Sequence, residues 1–291
     1  MPRVAFLSTD NLEDFFVYDE LLIPHFEQRG WSVDTVSWHC QKTDWSAYDA
    51  VIVRSTWDYQ NAPDAFVDCL KRIEQSGTLL ENPLELMLWN IQKIYLKELE
   101  EAGIPVIPTV WMDAWSTAAV ETQFAALNTD TLVIKPVLSA NADDTFRLTP
   151  QALAEKQGTL SALFSQRPFM VQPFIREVVD EGEISLFYFD GDFSHAILKQ
   201  PAVGDFRVQE EHGGRLSVLQ PDATVMACAR AALNAMPASA LYARVDLIRA
   251  AGQWRVMELE LIEPSLYFQL DEGAAPRFVD AFLQRWRQQR A

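Results

Sequence analysis

The sequence predicts an α/β protein built of α+β modules: a small N-terminal parallel-sheet domain, a middle α+β module and a C-terminal antiparallel sheet. Three observations carry this. The first ninety or so residues alternate apolar strand-like runs with amphipathic stretches that stop at Gly30 and Gly77, the rhythm of βαβ units. The last third reads as hairpins, with Asp190-Gly191-Asp192 as a turn signal between two strands. Composition shifts near Pro83 and Pro173, which divides the chain into residues 1–85, 86–172 and 173–291.

Taken in order, Arg3–Ser8 is an apolar strand and Tyr18–Arg29 an amphipathic helix. Trp31–Trp38 and Ala50–Arg54 are further strands, the latter continuously apolar as in a parallel sheet. Ala65–Gln75 is a helix, and Thr78-Leu79-Leu80 a short strand before Asn82-Pro83. Ligands of open parallel sheets sit beyond the carboxyl ends of the strands. Arg54-Ser55-Thr56-Trp57-Asp58-Tyr59 follows directly on such an end, so Arg54 and Asp58 are candidates for holding a polar substrate. The same stretch also suits an ordinary loop in which Arg54 and Asp58 pair with each other.

In the middle module, Leu88–Ala102 reads as one helix carrying Lys93 near its start and stopped by Gly103. A strand over Val106–Val110 and a helix over Ala118–Leu127 follow. Lys135 ends the apolar run Thr131–Pro136, where an ammonium loses hydration unless an anion meets it. The loop Ser139–Thr145 is polar and free of glycine, which weakens any case for main-chain cradling of phosphate. Pro150–Phe164 is a helix and Phe169–Ile175 a strand leaving the module. Beyond it, Glu183–Asp190 and Phe193–Lys199 form a hairpin, Val203–Gln209 runs into a turn, and Ala223–Ala235 and Ala275–Gln289 are helices.

The densest chemistry lies in two strands joined at Ala250-Ala251-Gly252-Gln253, namely Leu241–Arg249 and Trp254–Glu263. Side chains alternate along a strand, so Glu258 and Glu260 share a face. A turn centred near Gly252 sets Asp246 opposite Glu258. Three converging carboxylates repel unless a cation or proton intervenes, and oxygen-only ligands suit Mg²⁺ shared with phosphate. The alternatives are a solvated acidic face, pairing with Arg244, Arg249 and Arg255, or a glycosidase using Glu258 and Glu260; the last leaves the lysines unexplained.

Net charge is −17 with a pI near 4.6, which argues against nucleic acid as a partner without excluding ATP in a locally cationic pocket. No apolar run reaches the length of a membrane span, the N-terminus does not read as a signal peptide, and three scattered cysteines fit reduced thiols. A soluble cytoplasmic protein is expected, with its oligomeric state open and a homodimer included.

In order and spacing these features resemble the ATP-grasp superfamily, particularly its bacterial glutathione synthetase and ribosomal-protein glutamate ligase branch. Gly204-Asp205-Phe206-Arg207-Val208-Gln209 with Gly213-Gly214, and Val256-Met257-Glu258-Leu259-Glu260, are the stretches that carry the likeness. It implies an ATP-grasp fold and an ATP-dependent carboxylate–amine ligase working through an acyl-phosphate on a small amino-acid or peptide-like substrate. It also implies that Lys93 and Lys135 contact ATP phosphates, that Gln172 and the main chain of Phe174 and Ile175 read adenine, and that Glu183 meets the ribose. Arg207 would stabilise the transferring phosphoryl group, and Asp246, Glu258 and Glu260 would hold Mg²⁺, two ions in all. Relatives usually carry Asn in place of Glu260 and often Glu in place of Pro173, and their glycine-containing loop differs from Ser139–Thr145. Arg54–Tyr59 also departs from the glutathione synthetases, which turns the expectation away from glutathione synthesis itself. A kinase-like or cyclising reaction, or nucleotide binding without turnover, are the other readings.

Overall fold

The computed structural model describes residues 1–13, 15–140 and 142–290. Three sheets organise it. The first is parallel, in the order β2 (Ser32–Ser37), β1 (Arg3–Ser8), β3 (Ala50–Ser55), β4 (Leu79–Glu81). Helix α1 (Ile23–Gln28) follows β1, and α2 (Pro63–Gln75) joins β3 to β4. Proline in the first turn of α2 wastes no donor, and Phe66, Cys69, Leu70 and Ile73 at helical spacing form its buried face.

Helices α3 (Leu84–Asn90) and α4 (Tyr95–Glu101) occupy the stretch expected as one helix. The break between them holds Lys93, whose N–H donates to the Val137 carbonyl, outside any helical ladder. Tyr95, Leu96 and Leu99 of α4 pack with Leu247, Val256 and Leu259 of the C-terminal sheet. The strand expected over Val106–Val110 also fails to form as one piece. Pro108 interrupts it with a missing N–H; Val106 bridges to Val256, and β5 covers Val110–Met112.

The middle sheet is antiparallel, in the order β5, β8 (Phe169–Pro173), β6 (Leu132–Pro136), β7 (Phe146–Leu148). Helices α5 (Thr117–Ala126) and α6 (Pro150–Phe164) cover it. The Thr149 hydroxyl accepts the Ala152 N–H at 3.2 Å and so caps α6, with Pro150 in the first turn. After the short α7 (Glu177–Asp180) comes the C-terminal sheet, built of β9 (Glu183–Phe189), β10 (Asp192–Gln200), β11 (Arg215–Val218), β12 (Tyr242–Ala250) and β13 (Gln253–Glu260). Its order is β11-β10-β9-β12-β13. Helix α8 (Ala223–Asn234) packs on one face, while α9 (Ala274–Gln288) joins β9, β10 and the first sheet in a second core. The site residues lie where the middle and C-terminal sheets face each other.

Candidate active site

The register of the C-terminal sheet places the charges. Asp246 of β12 stands opposite Glu258 of β13, as the turn at Gly252 predicts, and Arg244 stands opposite Glu260. On the other side, Ser185 of β9 pairs with Asp246, and Lys199 of β10 with Glu183. One sheet face therefore carries alternating carboxylates and cations.

Each carboxylate is engaged. Arg244 donates to Asp246, with Nη2–Oδ2 at 2.9 Å, and to Glu260. Lys199 lies between Glu183 and Asp246, at 2.5 and 3.4 Å, and Ser185 donates to Asp246. Lys93 reaches across from the α3–α4 break to Glu258 at 2.7 Å and to the Ser139 carbonyl at 3.0 Å. Arg249 and Arg255, the other pairing candidates, turn elsewhere, to Glu181 and to the Val106 carbonyl.

These neighbours set the protonation states. Burial works to raise the Asp246 and Glu258 pKa values, but Arg244 and Lys199 hold the first below the ordinary range, and Lys93 and Lys135 the second. Glu260 goes the other way: burial, aided by the charges of Glu258 and Asp246 and opposed by Arg244, brings it to about 7. Burial pushes Lys135 down, with Glu258 opposing. Lys135 is buried, approaches the Met257 sulfur at 3.9 Å, and has no carboxylate at ion-pair distance among the described residues.

The cleft is lined by Lys93, Lys135, Gln172, Phe174, Ile175, Glu183, Arg207, Asp246, Glu258 and Glu260, so these expected site residues converge. The Gln172 amide is spent on the Thr109 hydroxyl at 2.9 Å, and the Phe174 N–H on the Thr131 carbonyl at 2.8 Å. Of the expected main-chain contacts to adenine, this leaves the Phe174 carbonyl and the Ile175 N–H. Arg207, in the loop before β11, pairs with Asp205 at 2.8 Å. Ser139 and Thr145 line the cleft, while Asn141 of that loop lies outside the described residues.

Arg54 and Asp58 are not brought into the cleft, nor paired with each other. Arg54 is 1% exposed; its guanidinium bonds Asp19 at 2.9 Å and the Pro264 carbonyl at 3.1 Å. Asp58 accepts from Thr9 and Trp38 and meets His39 at 2.6 Å. Trp57 and Tyr59 of the same stretch line the cleft instead, because the strand ends at Ser55 and the chain runs through a turn into a short 3-10 helix at Tyr59–Asn61. Lys199, Arg244 and Glu263 also line it and were not among the expected site residues. For Arg244 the alternation that aligned Asp246 and Glu258 was the available signal, being two residues from Asp246 on the same strand.

The donor chemistry suits a nucleotide with a hard cation: a buried ammonium without a carboxylate partner faces oxygen-only ligands. It is not a ready-made cage, however. Among the described residues no group of three or more His, Cys, Asp or Glu is already arranged to hold a metal ion. The expected trio is interleaved with Arg244, Lys199 and Lys93, so a divalent ion would enter by exchange with those cations.

The pattern of the D-cycloserine synthetase DcsG N-terminal domain family matches residues 4–82. Cycloserine biosynthesis protein DcsG of Streptomyces lavendulae is 32% identical over 269 residues, 88% of this chain and 89% of that protein. The chain belongs to the DcsG family of ATP-grasp ligases. The crystal structure of D-cycloserine synthetase DcsG superposes with a TM-score of 0.85 at 30% identity, over 98% of this chain and 99% of that one. The ATP-grasp ligase PsnB, solved with a minimal precursor, Mg and ADP, shares the fold at a TM-score of 0.67 and 17% identity, over 98% of both chains. This DcsG-family member is thus an ATP-dependent ligase that forms carbon–nitrogen bonds. No helix among its described residues is long and apolar enough to cross a membrane.

Proposed function

We propose that the chain activates the carboxylate of a small amino-acid-derived substrate with ATP and joins it to an amine. The observation that carries this reading is the presence, in one cleft, of the buried Lys135 and the carboxylate face of β12 and β13. ATP phosphates would lie between Lys93 and Lys135. The base would enter the apolar end beside Phe174, Ile175 and Met257, meeting the Phe174 carbonyl and the Ile175 N–H. Glu183 would take the ribose hydroxyls once Lys199 turns wholly to Asp246. Asp246, Glu258 and Glu260 would hold Mg²⁺, two ions in our reading, which when bound supplies charge neutralisation at the phosphates.

A carboxylate resists nucleophiles because of its own charge. Attack of a carboxylate oxygen on the γ-phosphorus forms an acyl-phosphate and releases ADP. The amine then attacks the acyl carbon, the C–O bond breaks with its electron pair leaving on inorganic phosphate, and the nitrogen gives up a proton to solvent or to the departing phosphate. Arg207, freed from Asp205, would offset charge on the transferring phosphoryl group, a contribution on the order of 3 kcal/mol of barrier for a well-placed donor. A second reading, favoured by the 32%-identical cycloserine biosynthesis protein, places the amine in the same molecule and makes the reaction a ring closure. Incubation with Mg·ATP and a panel of D- and L-amino acids, singly and in pairs, tests both. ADP and phosphate should appear with a product carrying a new C–N bond. Turnover with a single compound selects ring closure, and no ADP from any compound overturns the ligase reading.

A further inference from the structure

Between β10 and β11 the chain runs through residues 201–214 without a sheet partner, and it is folded on itself. The Asp205 N–H donates to the Ala202 carbonyl at 3.0 Å. The Asp205 carboxylate takes the Phe206 and Arg207 N–H groups, at 2.7 and 3.0 Å, besides the Arg207 guanidinium. At the other end a 3-10 turn over Glu210–His212 closes with the Gly213 and Gly214 N–H groups on the carbonyls of Glu210 and Gln209, at 2.9 and 3.1 Å. Gly214 is needed for that closure, since a Cβ there would stand 2.1 Å from the Val208 carbonyl oxygen. Among the described residues, one hydrogen bond alone joins this arm to the rest of the molecule.

That bond runs from the Tyr18 hydroxyl to Glu210 Oε2 at 3.0 Å, between residues 192 positions apart in the chain. Tyr18 is a fixed post for it. Asp19 beside it is buried, pairs with Arg54 at 2.8 Å and accepts from the Ser55 hydroxyl, so the main chain at Tyr18 is held to the end of β3. The second attachment is aromatic. The rings of Phe206 and Phe174 meet edge to face at 88°, with centroids 6.2 Å apart, and the Arg147 guanidinium lies over the Phe174 ring at 3.9 Å. A self-bonded arm fastened at two places cannot slide or tilt without losing one fastening. Arg207 and Gln209, which lie between the two, line the cleft.

We infer that Tyr18 and Phe206 are positioning residues that together set where Arg207 meets the transferring phosphoryl group. The first domain holds the arm through Tyr18 and the end of β8 holds it through Phe174, so Arg207 is in place only when both sides of the cleft are. The inference rests on the ligase reading above and adds to it the residues that place its phosphoryl-stabilising arginine.

The test uses the full-length protein. Trypsin cleavage after Arg207, followed by mass spectrometry and scaled to cleavage after Lys71 within α2, reads the arm without turnover. Tyr18→Phe removes one hydroxyl and should speed that cleavage about tenfold, the scale of one hydrogen bond to a charged group. Glu210→Gln keeps an acceptor and should stay within about threefold of the wild type. With Mg·ATP and a compound that turns over, Tyr18→Phe and Phe206→Ala should each lower kcat about tenfold with KM for ATP nearly unchanged, and Phe206→Tyr should recover most of the loss. Tyr18→Phe combined with Glu210→Ala should be no slower than Tyr18→Phe alone, as for two ends of one bond. Unchanged cleavage in Tyr18→Phe overturns the two-point seat. Faster cleavage with kcat unchanged overturns the positioning of Arg207 and leaves the ligase reading standing. If no compound yields ADP, the ligase reading fails and the role of Arg207 with it, while faster cleavage still upholds the seat of the arm. Tyr18→Phe leaves the ring in place, so a Phe206→Ala protein that does not fold leaves the inference open to contradiction.

Discussion

Lys135 and Lys97 offer a matched pair of ammonium groups, one buried against the cleft and one exposed on α4. A buried ammonium without a carboxylate is costly until an anion arrives, so phosphate should find it there. Lys135→Ala is expected to weaken ATP binding at least tenfold in a calorimetric titration, about 1.4 kcal/mol, whereas Lys97→Ala should leave it within twofold. Arg54 calls for a different measurement. It is enclosed with Asp19 at the end of β3, so its loss strands a carboxylate. Arg54→Ala should cost roughly 3–5 kcal/mol in urea unfolding, the range for breaking a buried pair, and adding Asp19→Ala should recover part of it. A fully additive double variant would contradict the pairing. Nothing in the sequence distinguished this Arg54 from one aimed at substrate, because its partners Asp19 and Pro264 are remote in the chain.

Among the elements, β10 and the chain after β13 meet at His195. Its ring stacks on Phe187 at 4.3 Å and its Nε2 donates to the Leu266 carbonyl, which places a proton on Nε2. Burial lowers its pKa from 6.5 to about 4. Between those values the unfolded chain binds a proton that the folded chain refuses, so this share of stability is complete above pH 6.5 and is lost as pH falls toward 4. It amounts to about 3 kcal/mol, and His195→Gln should flatten that part of the stability–pH curve measured by urea unfolding. An unchanged acid slope would contradict the burial argument. Local rules served well where the signal was local: Pro150–Phe164 was legible as α6, and the turn at Gly252 aligned Asp246 with Glu258. They failed at Leu88–Ala102, since Lys93 leaves the helix for bonds to Val137 and Glu258 that no window of sequence contains. The short β7, β11 and α7 offered too few residues to show a period.

Across the whole molecule, long-range polar bonds lock the first sheet and the helix after it to the C-terminal sheet. Arg285 of α9 joins Glu81 of β4, at 2.9 Å, to Asp190 of the β9–β10 turn, at 2.8 Å. Asn82 and Asn90 bond the main chain at Leu241, Leu259 and Leu261. The fold class, the three sheets and the convergence of the lysines with the carboxylates were legible from strand rhythm, spacing and resemblance. Of the cations threaded among those carboxylates, Arg244 was legible as a pairing candidate, whereas Lys199 gains its meaning only when β10, β9 and β12 lie side by side.

The central claim is that this interleaved face binds ATP through a divalent ion. Calorimetric titration of ATP into the wild-type chain and into Glu258→Ala together with Glu260→Ala, each with and without Mg²⁺, tests it most directly. The account predicts binding that is strongly Mg²⁺-dependent in the wild type and has lost that dependence in the double variant. Mg²⁺-dependent ATP binding that survives both substitutions would contradict it.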